Sequence, residues 1–254
     1  MTRVSRGLHA VCVALLLAAA GSVFAQPPAP SPEPPRNPRE SAAIDLTGQW
    51  VAIVNEDWRW RMVTPPKGDY TSVQPLNAAG RAVADSWQPS DDGSCRAYGA
   101  PGLMRMPTRL RIAWEGDADL TIRTDAGEQL RRLEFAPASA SGAPSLQGHS
   151  VAVWRRTLPP PGNARGPQPT GGSLEVTTTG LIPGWLRKNG VPYSADTVLT
   201  EYFDRFAAPN GDEWLVVTAI VVDPQYLNGR FITSSHFKRE PDRSKWSPQP
   251  CKPL

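Results

Sequence analysis

Glu201 and Arg205 belong to a run, Val198 to Phe206, in which charged and aromatic residues alternate. As a strand, this run puts Leu199, Glu201, Phe203 and Arg205 on one face and Val198, Thr200, Tyr202, Asp204 and Phe206 on the other. Either face sets a charge beside an aromatic ring, the chemistry of a polar anchor in an apolar pocket. Turned inward, Glu201 and Arg205 could pair with Arg109, Arg111 or His236 and hold a polar ligand group; turned outward, they form a ladder of solvated salt bridges. Glu201, Asp204 and His236 are thus the candidate bases of any acid-base chemistry. His236 shares a face with Ile232 and Ser234, and beside Glu201 or Asp223 it could move a proton near neutral pH. A lone histidine on a late strand is more often a surface or structural residue.

A second run, Asn55 to Met62, alternates Trp58, Trp60 and Met62 with Asp57, Arg59 and Arg61. One orientation places two indoles in a cavity. The opposite one places arginines beside aromatic walls, as in sites for carboxylates or phenols, and the plainest reading is a core with arginine stems lying over it. The candidate ligand contacts are therefore Trp58, Arg59, Trp60, Arg61, Arg109, Arg111, Tyr202 and Arg205. Other chemistries lack their residues: there is no Gly-x-Ser-x-Gly elbow and no phosphate-binding glycine loop, so no cofactor is implied.

These residues need strands to hold them. Leu110, Ile112 and Trp114 alternate with Arg109, Arg111 and Ala113, and the runs Asp119 to Thr124 and Glu128 to Phe135, parted by Asp125-Ala126-Gly127, predict a hairpin. Further strands are predicted over Ser150 to Arg155, Ser173 to Thr179, Thr197 to Phe206, Glu213 to Asp223 and Arg230 to Lys238, with a tight turn at 209–212. One helix breaks the pattern near 77–88, where Asn77 is a good N-cap for Ala78 to Trp87. So many closely spaced strands predict an all-β, antiparallel sheet closed into a barrel, with a β-sandwich as the alternative.

The chain begins with Arg3 and Arg6, an apolar run from Ala10 to Ala20 and small residues up to Ala25, the plan of a cleaved signal peptide over 1–25. The apolar run is shorter than the roughly 20 residues that cross a bilayer, so no membrane insertion is expected after cleavage, and the mature protein is expected in the periplasm or secreted. Cys12 leaves with the leader; Cys95 and Cys251 remain and are expected to form a disulfide in an oxidising compartment. Only His149 and His236 stay in the mature chain, and neither has metal-ligand spacing to a cysteine. The chain has 27 basic and 24 acidic residues, and losing Arg3 and Arg6 brings the mature charge to about +1, which gives no electrostatic case for nucleic acid. Residues 26–43 are too rich in proline to build a core and predict a disordered linker before one domain over 44–254, while Leu158 to Gly172 predicts a long surface loop.

Leu46-Thr47-Gly48-Gln49-Trp50 carries a Gly-x-Trp signature that resembles the first strand of lipocalin-like barrels. Over Pro144 to Lys238, the segments Gln147-Gly148-His149-Ser150, Asn189-Gly190-Val191-Pro192-Tyr193-Ser194, Glu201-Tyr202-Phe203-Asp204-Arg205 and Asp223-Pro224-Gln225-Tyr226 follow in order. They resemble a group of exported bacterial proteins of unknown activity with lipocalin-like (calycin-type) β-barrels. The chain departs from that group's pattern at Leu146, usually tryptophan, and at Tyr193, usually histidine. The resemblance implies a lipocalin-like barrel and no reaction. Three functions stay open: a binder of a small, partly apolar molecule; an isomerase, hydratase or lactone hydrolase using the same cavity; and a structural module of the cell envelope filled by its own side chains.

Overall fold

Closing a sheet on itself removes its two edges, and this chain takes that solution. In a computed structural model of the protein, the described residues are 37–54, 65–70, 75–92, 95–135, 142–157 and 171–251, within one compact unit spanning 36–254. The strands are β1 (Gly48–Ile53), β2 (Arg109–Glu115), β3 (Asp119–Thr124), β4 (Ala126–Gly127), β5 (Leu130–Glu134), β6 (His149–Arg156), β7 (Gly172–Thr179), β8 (Gly184–Trp185), β9 (Pro192–Tyr193), β10 (Val198–Ala207), β11 (Glu213–Val222), β12 (Phe231–Glu240) and β13 (Gln249–Pro250). Nine of them close in the order β1-β12-β11-β10-β7-β6-β5-β3-β2, so the fold is an all-β barrel.

Its seams are antiparallel except one: β5 and β6 run parallel, with Leu133 opposite Ser150 and Glu134 opposite Val151. Strand direction cannot alternate all the way round a ring with an odd number of members, so one parallel seam is the condition of closure. The expected antiparallel barrel is found, with this seam as its one parallel pairing. The hairpin of β3 and β5 forms as its alternation requires, Asp119 opposite Glu134 and Arg123 opposite Leu130.

Helix α1 (Ala78–Ser86) begins at Asn77, whose side chain accepts a 2.8 Å hydrogen bond from the Gly80 N–H, satisfying one of the amides that a helix start leaves open. A second, short helix, α2 (Ala100–Leu103), starts at a proline-containing first turn and is buried throughout. Both lie in the connection from β1 to β2, which covers the same barrel end as the β7–β10 and β11–β12 connections. The opposite end carries the turn 208–212, where the Ala208 N–H donates to the Asp212 carbonyl at 2.8 Å.

That opposite end is plugged by Trp50, which has no exposed surface; its indole N–H donates to the Leu46 carbonyl at 3.0 Å and the Arg239 guanidinium lies 5.7 Å over its ring. Gly48 fits this arrangement because its φ of +134° lies in the left-handed region and a Cβ there would meet the Arg239 guanidinium at 3.4 Å. Residues 37–43, from the stretch expected to be linker, bond to the barrel wall: Trp154 donates to the Pro38 carbonyl at 3.0 Å, Arg156 to the Ser41 carbonyl at 2.7 Å, and Arg39 pairs with Asp117 at 3.4 Å. Residues 158–170 of the predicted surface loop and the predicted leader lie outside the described residues.

Candidate functional site

Inward positions on β10 are Leu199, Glu201 and Phe203, each without exposed surface, so a carboxylate stands between two apolar side chains inside the barrel. Its partner is Arg131. On β5 the face shared with Leu133 points in, and it carries the guanidinium across the lumen to Glu201: Nη1 donates to Oε1 at 3.1 Å and Nη2 to Oε2 at 2.6 Å. Nη2 also reaches Thr178 Oγ1 at 3.3 Å and Ser150 Oγ at 3.4 Å, and those two hydroxyls lie 2.8 Å apart. Four strands, β5, β6, β7 and β10, thus supply one polar layer. Arg131 Nε is buried within it and has no hydrogen-bond partner among the described residues.

Toward the loop-bearing end, the β8–β9 ribbon covers the interior. Tyr193 shares an apolar cluster with Leu199, Val221 and Phe231, which seats it on the layer above Glu201. Trp87 and Trp185 meet edge to face at 6.4 Å. Gly190, at φ +88°, lets the ribbon pass against the Trp87 ring where a Cβ would collide. Trp87 Nε1, Trp185 Nε1, Tyr193 Oη and Asn189 Oδ1 are buried here without a hydrogen-bond partner among the described residues, as is Gln147 Oε1. Burial pushes the Tyr193 phenol well above its ordinary range against the pull of Arg96, so it stays a neutral O–H. Lys188 stands 4.8 Å over the Tyr98 ring and donates to its hydroxyl at 3.2 Å.

Asp223, weighed as a partner for a histidine base, is instead the centre of a corner. Its carboxylate accepts from the Ser194 N–H at 2.6 Å and hydroxyl at 3.1 Å, from the Thr197 hydroxyl at 2.8 Å, and from the N–H groups of Gln225 and Tyr226 at 2.8 and 3.0 Å. An acid with so many donors is committed to holding the loop before β10 against the turn after β11. Two of the sequence segments singled out above, around Ser194 and around Asp223, meet here, and two others, around Ser150 and Glu201, meet at Arg131.

The remaining sequence candidates scatter. Arg205 lies at the plugged end, bonded to Glu213 and donating to the Asp45 carbonyl at 2.8 Å. Arg109 and Arg111 are on the outer face of β2, because Leu110 and Ile112 take the inward positions; Arg109 pairs with Glu240 at 3.0 Å, and neither reaches Glu201. Tyr202 and Asp204 are on the outer face of β10, where partial burial raises the Asp204 carboxyl. His236 is on the outer face of β12, since Ser235 and Phe237 point in. Trp58, Arg59, Trp60 and Arg61 lie outside the described residues. Cys95 and Cys251 are disulfide-bonded, their Cα atoms 5.6 Å apart, within the reach such a bridge requires.

Sequence reasoning missed Arg131, Trp87, Trp185 and Tyr193 as members of one end. Arg131 shares parity with Leu133, but Arg132 shares parity with Leu130, so alternation alone does not choose between the two arginines; the others sit in loops and two-residue strands, where no periodicity exists to read. No family model matches the chain, and neither does any curated protein or solved structure.

Proposed function

We propose that this barrel binds a small, partly apolar molecule at its loop-bearing end, with the Arg131–Glu201 layer as the polar floor of the site. The observation that supports this reading is the pair itself. Removing two ions from water costs several kcal/mol each, and replacing such a pair by apolar residues of similar volume is often neutral or stabilising, so folding alone gives little reason to keep it. A ligand does, because a desolvated guanidinium with a donor still open discriminates strongly among polar groups. The Cys95–Cys251 disulfide, the leader-like start of the chain and the lack, among the described residues, of a helix long and apolar enough to cross a membrane support a place in the periplasm or outside the cell.

A competing reading, a structural envelope module, draws support from the plugged half, where Trp50, Phe203, Phe237, Leu110 and Leu174 have no exposed surface. Native mass spectrometry of protein purified from the periplasm, combined with titration of the neutral fluorophore N-phenyl-1-naphthylamine, separates the two. Retained small molecule, or fluorophore binding that is lost in an Arg131→Leu/Glu201→Leu protein of parental stability, is the expected result. A protein that retains nothing and leaves the fluorophore dark is a structural barrel.

A further inference from the structure

β11 is apolar on both of its faces. Leu215, Val217, Ala219 and Val221 point into the barrel, and Trp214, Val216, Thr218, Ile220 and Val222 point out of it. An antiparallel strand with water on one side alternates apolar with polar residues, whereas a strand apolar throughout belongs to a sheet covered on both sides. The far side of the ring shows the contrast: the outer face of β2, β3 and β5 carries Arg111, Glu115, Arg123 and Arg132, with Arg132 paired to Glu115 at 2.9 Å.

The strands flanking β11 widen its apolar face. Register sets Val198 beside Val222, aligns Thr200, Ile220 and Ile232 in one row, and aligns Tyr202, Thr218 and Ser234 in the next. Ile232 is 57 % exposed, Phe206 50 %, Val222 43 % and Val198 37 %, so large apolar side chains stand together in water. β10, β11 and β12 are each 10 residues long. At ordinary strand spacing their outer face measures roughly 500 Å², and two such faces reach the roughly 1,000 Å² that a specific interface requires.

The charges at the margins indicate what covers it. β10 contributes Asp204, β12 contributes His236 and Lys238, and the outward positions of β11 between them carry no charge. Asp204, Val216 and His236 share one row, and Phe206, Trp214 and Lys238 share another. Burial alone raises the Asp204 carboxyl, with no cation among the described residues pulling it back. An acidic flank, a neutral centre and a basic flank make a surface complementary to itself. A two-fold axis along β11 turns the β10 flank of one copy onto the β12 flank of the other, so that Asp204 meets His236 of the second copy and Phe206 meets its Lys238.

We infer that this outer face is the interface of a homodimer, in which two barrels pack wall to wall through β10, β11 and β12 about a two-fold axis parallel to β11. The dimer gives the outward-facing Tyr202, Asp204 and His236 a place in the assembly. The lumen takes no part in it, so its failure leaves the binding function proposed above untouched.

Sedimentation velocity of protein produced from the full chain tests this over about 1–100 µM, the range suited to an interface of the smallest specific size. The parent should sediment with twice the mass of one chain. Thr218→Lys sets two ammonium groups against each other on the axis and should weaken the dimer at least about ten-fold. Asp204→Lys and His236→Glu should each weaken it too, by bringing like charges together across the interface, and the two combined should restore it. All these side chains point outward, so the circular dichroism spectrum should stay that of the parent. A parent that sediments as a single chain throughout overturns the inference, and its flotation with phosphatidylglycerol vesicles would then assign the face to a lipid surface. A dimer that survives Thr218→Lys and both single charge variants lies elsewhere on the barrel and overturns it equally. Single variants that dissociate without recovery in the combined protein overturn the two-fold arrangement.

Discussion

Arg131 and Glu201 face each other across the barrel lumen, joined by two hydrogen bonds of 3.1 and 2.6 Å between strands that are not neighbours in the ring. The pair therefore ties together two strands that β6 and β7 separate, and each partner is the other's reason for being charged. Removing one strands the other in an apolar interior, so Arg131→Leu and Glu201→Leu should each destabilise by about 3–5 kcal/mol, whereas the double variant should recover most of that loss. Urea denaturation of the three variants reads this directly. A double variant no more stable than either single would mean that the hydroxyls of Ser150 and Thr178, left without Arg131, dominate the cost.

The Asp223 corner makes a different demand, since its carboxylate serves backbone and side-chain donors at once. Asp223→Ala should cost at least about 3 kcal/mol, because hydrogen bonds to a charged group contribute about 1.5–3 kcal/mol each and several are lost together. Asp223→Asn, which keeps one acceptor oxygen, should cost less. If the two variants unfold at the same denaturant concentration, charge rather than acceptor count is what the corner requires.

How far the sequence was legible depends on whether a pattern had room to repeat. β10 and β11 are each 10 residues long, and their alternation predicts both strands and sets Glu201 on the face of Leu199 and Phe203, while which face turns inward is decided by the closed ring. Asn77 announces α1 because a cap is a local device. Arg131 was not legible for a plain reason: in Leu130-Arg131-Arg132-Leu133 each face receives one leucine and one arginine, and only pairing with β3 decides which goes in. The parallel β5–β6 seam is two residue pairs long and follows from the count of strands, a property of the whole ring. The β8–β9 ribbon is shorter than any period.

The disulfide joins residues 156 apart in sequence and fastens the tail whose β13 lies parallel to β4. In the chain-entropy account so long a loop is worth up to about 5 kcal/mol, so Cys251→Ser, or reduction with dithiothreitol, should lower the melting temperature by several degrees or more. Thermal unfolding with and without reductant measures it. No change would mean that the unfolded chain is already restrained elsewhere, and the entropic account would be discarded here.

The proline-rich stretch does not end where its composition suggests. Because Pro38, Arg39 and Ser41 bond to the barrel wall, a protein starting at Asn37 should melt like one starting at Gln26, whereas one starting at Ile44 should lose about 1–2 kcal/mol, the worth of one or two part-buried hydrogen bonds, or roughly 2–6 °C for a domain of this size. Equal melting temperatures for the two would show that these contacts contribute nothing.

Acid should loosen the plugged end first. The hydrogen bond from Arg205 holds the Glu213 carboxyl below its ordinary value of 4.5; desolvation opposes it, and Arg239, bonded at 2.7 Å, adds to the pull. Asp45 is lowered as well: burial would raise it, but the hydroxyl and N–H of Thr47 and the charge of Arg205 outweigh that. A carboxyl that is more acidic folded than unfolded contributes stability that is complete above its unfolded value and is lost as pH falls through the folded one, because in between the unfolded chain binds the extra proton. Between neutral pH and about pH 5 these groups should leave the melting temperature unchanged, and below about pH 4.5 it should fall. Glu213→Gln should melt lower than the parent at pH 7, where Arg205 and Arg239 lose their anion, and the difference should shrink toward pH 3, where the parent's Glu213 is itself protonated. Thermal melts of both proteins from pH 7 to pH 3 test this, and a difference that stays constant or widens on acidification would show that the Glu213 cluster acts through packing rather than charge.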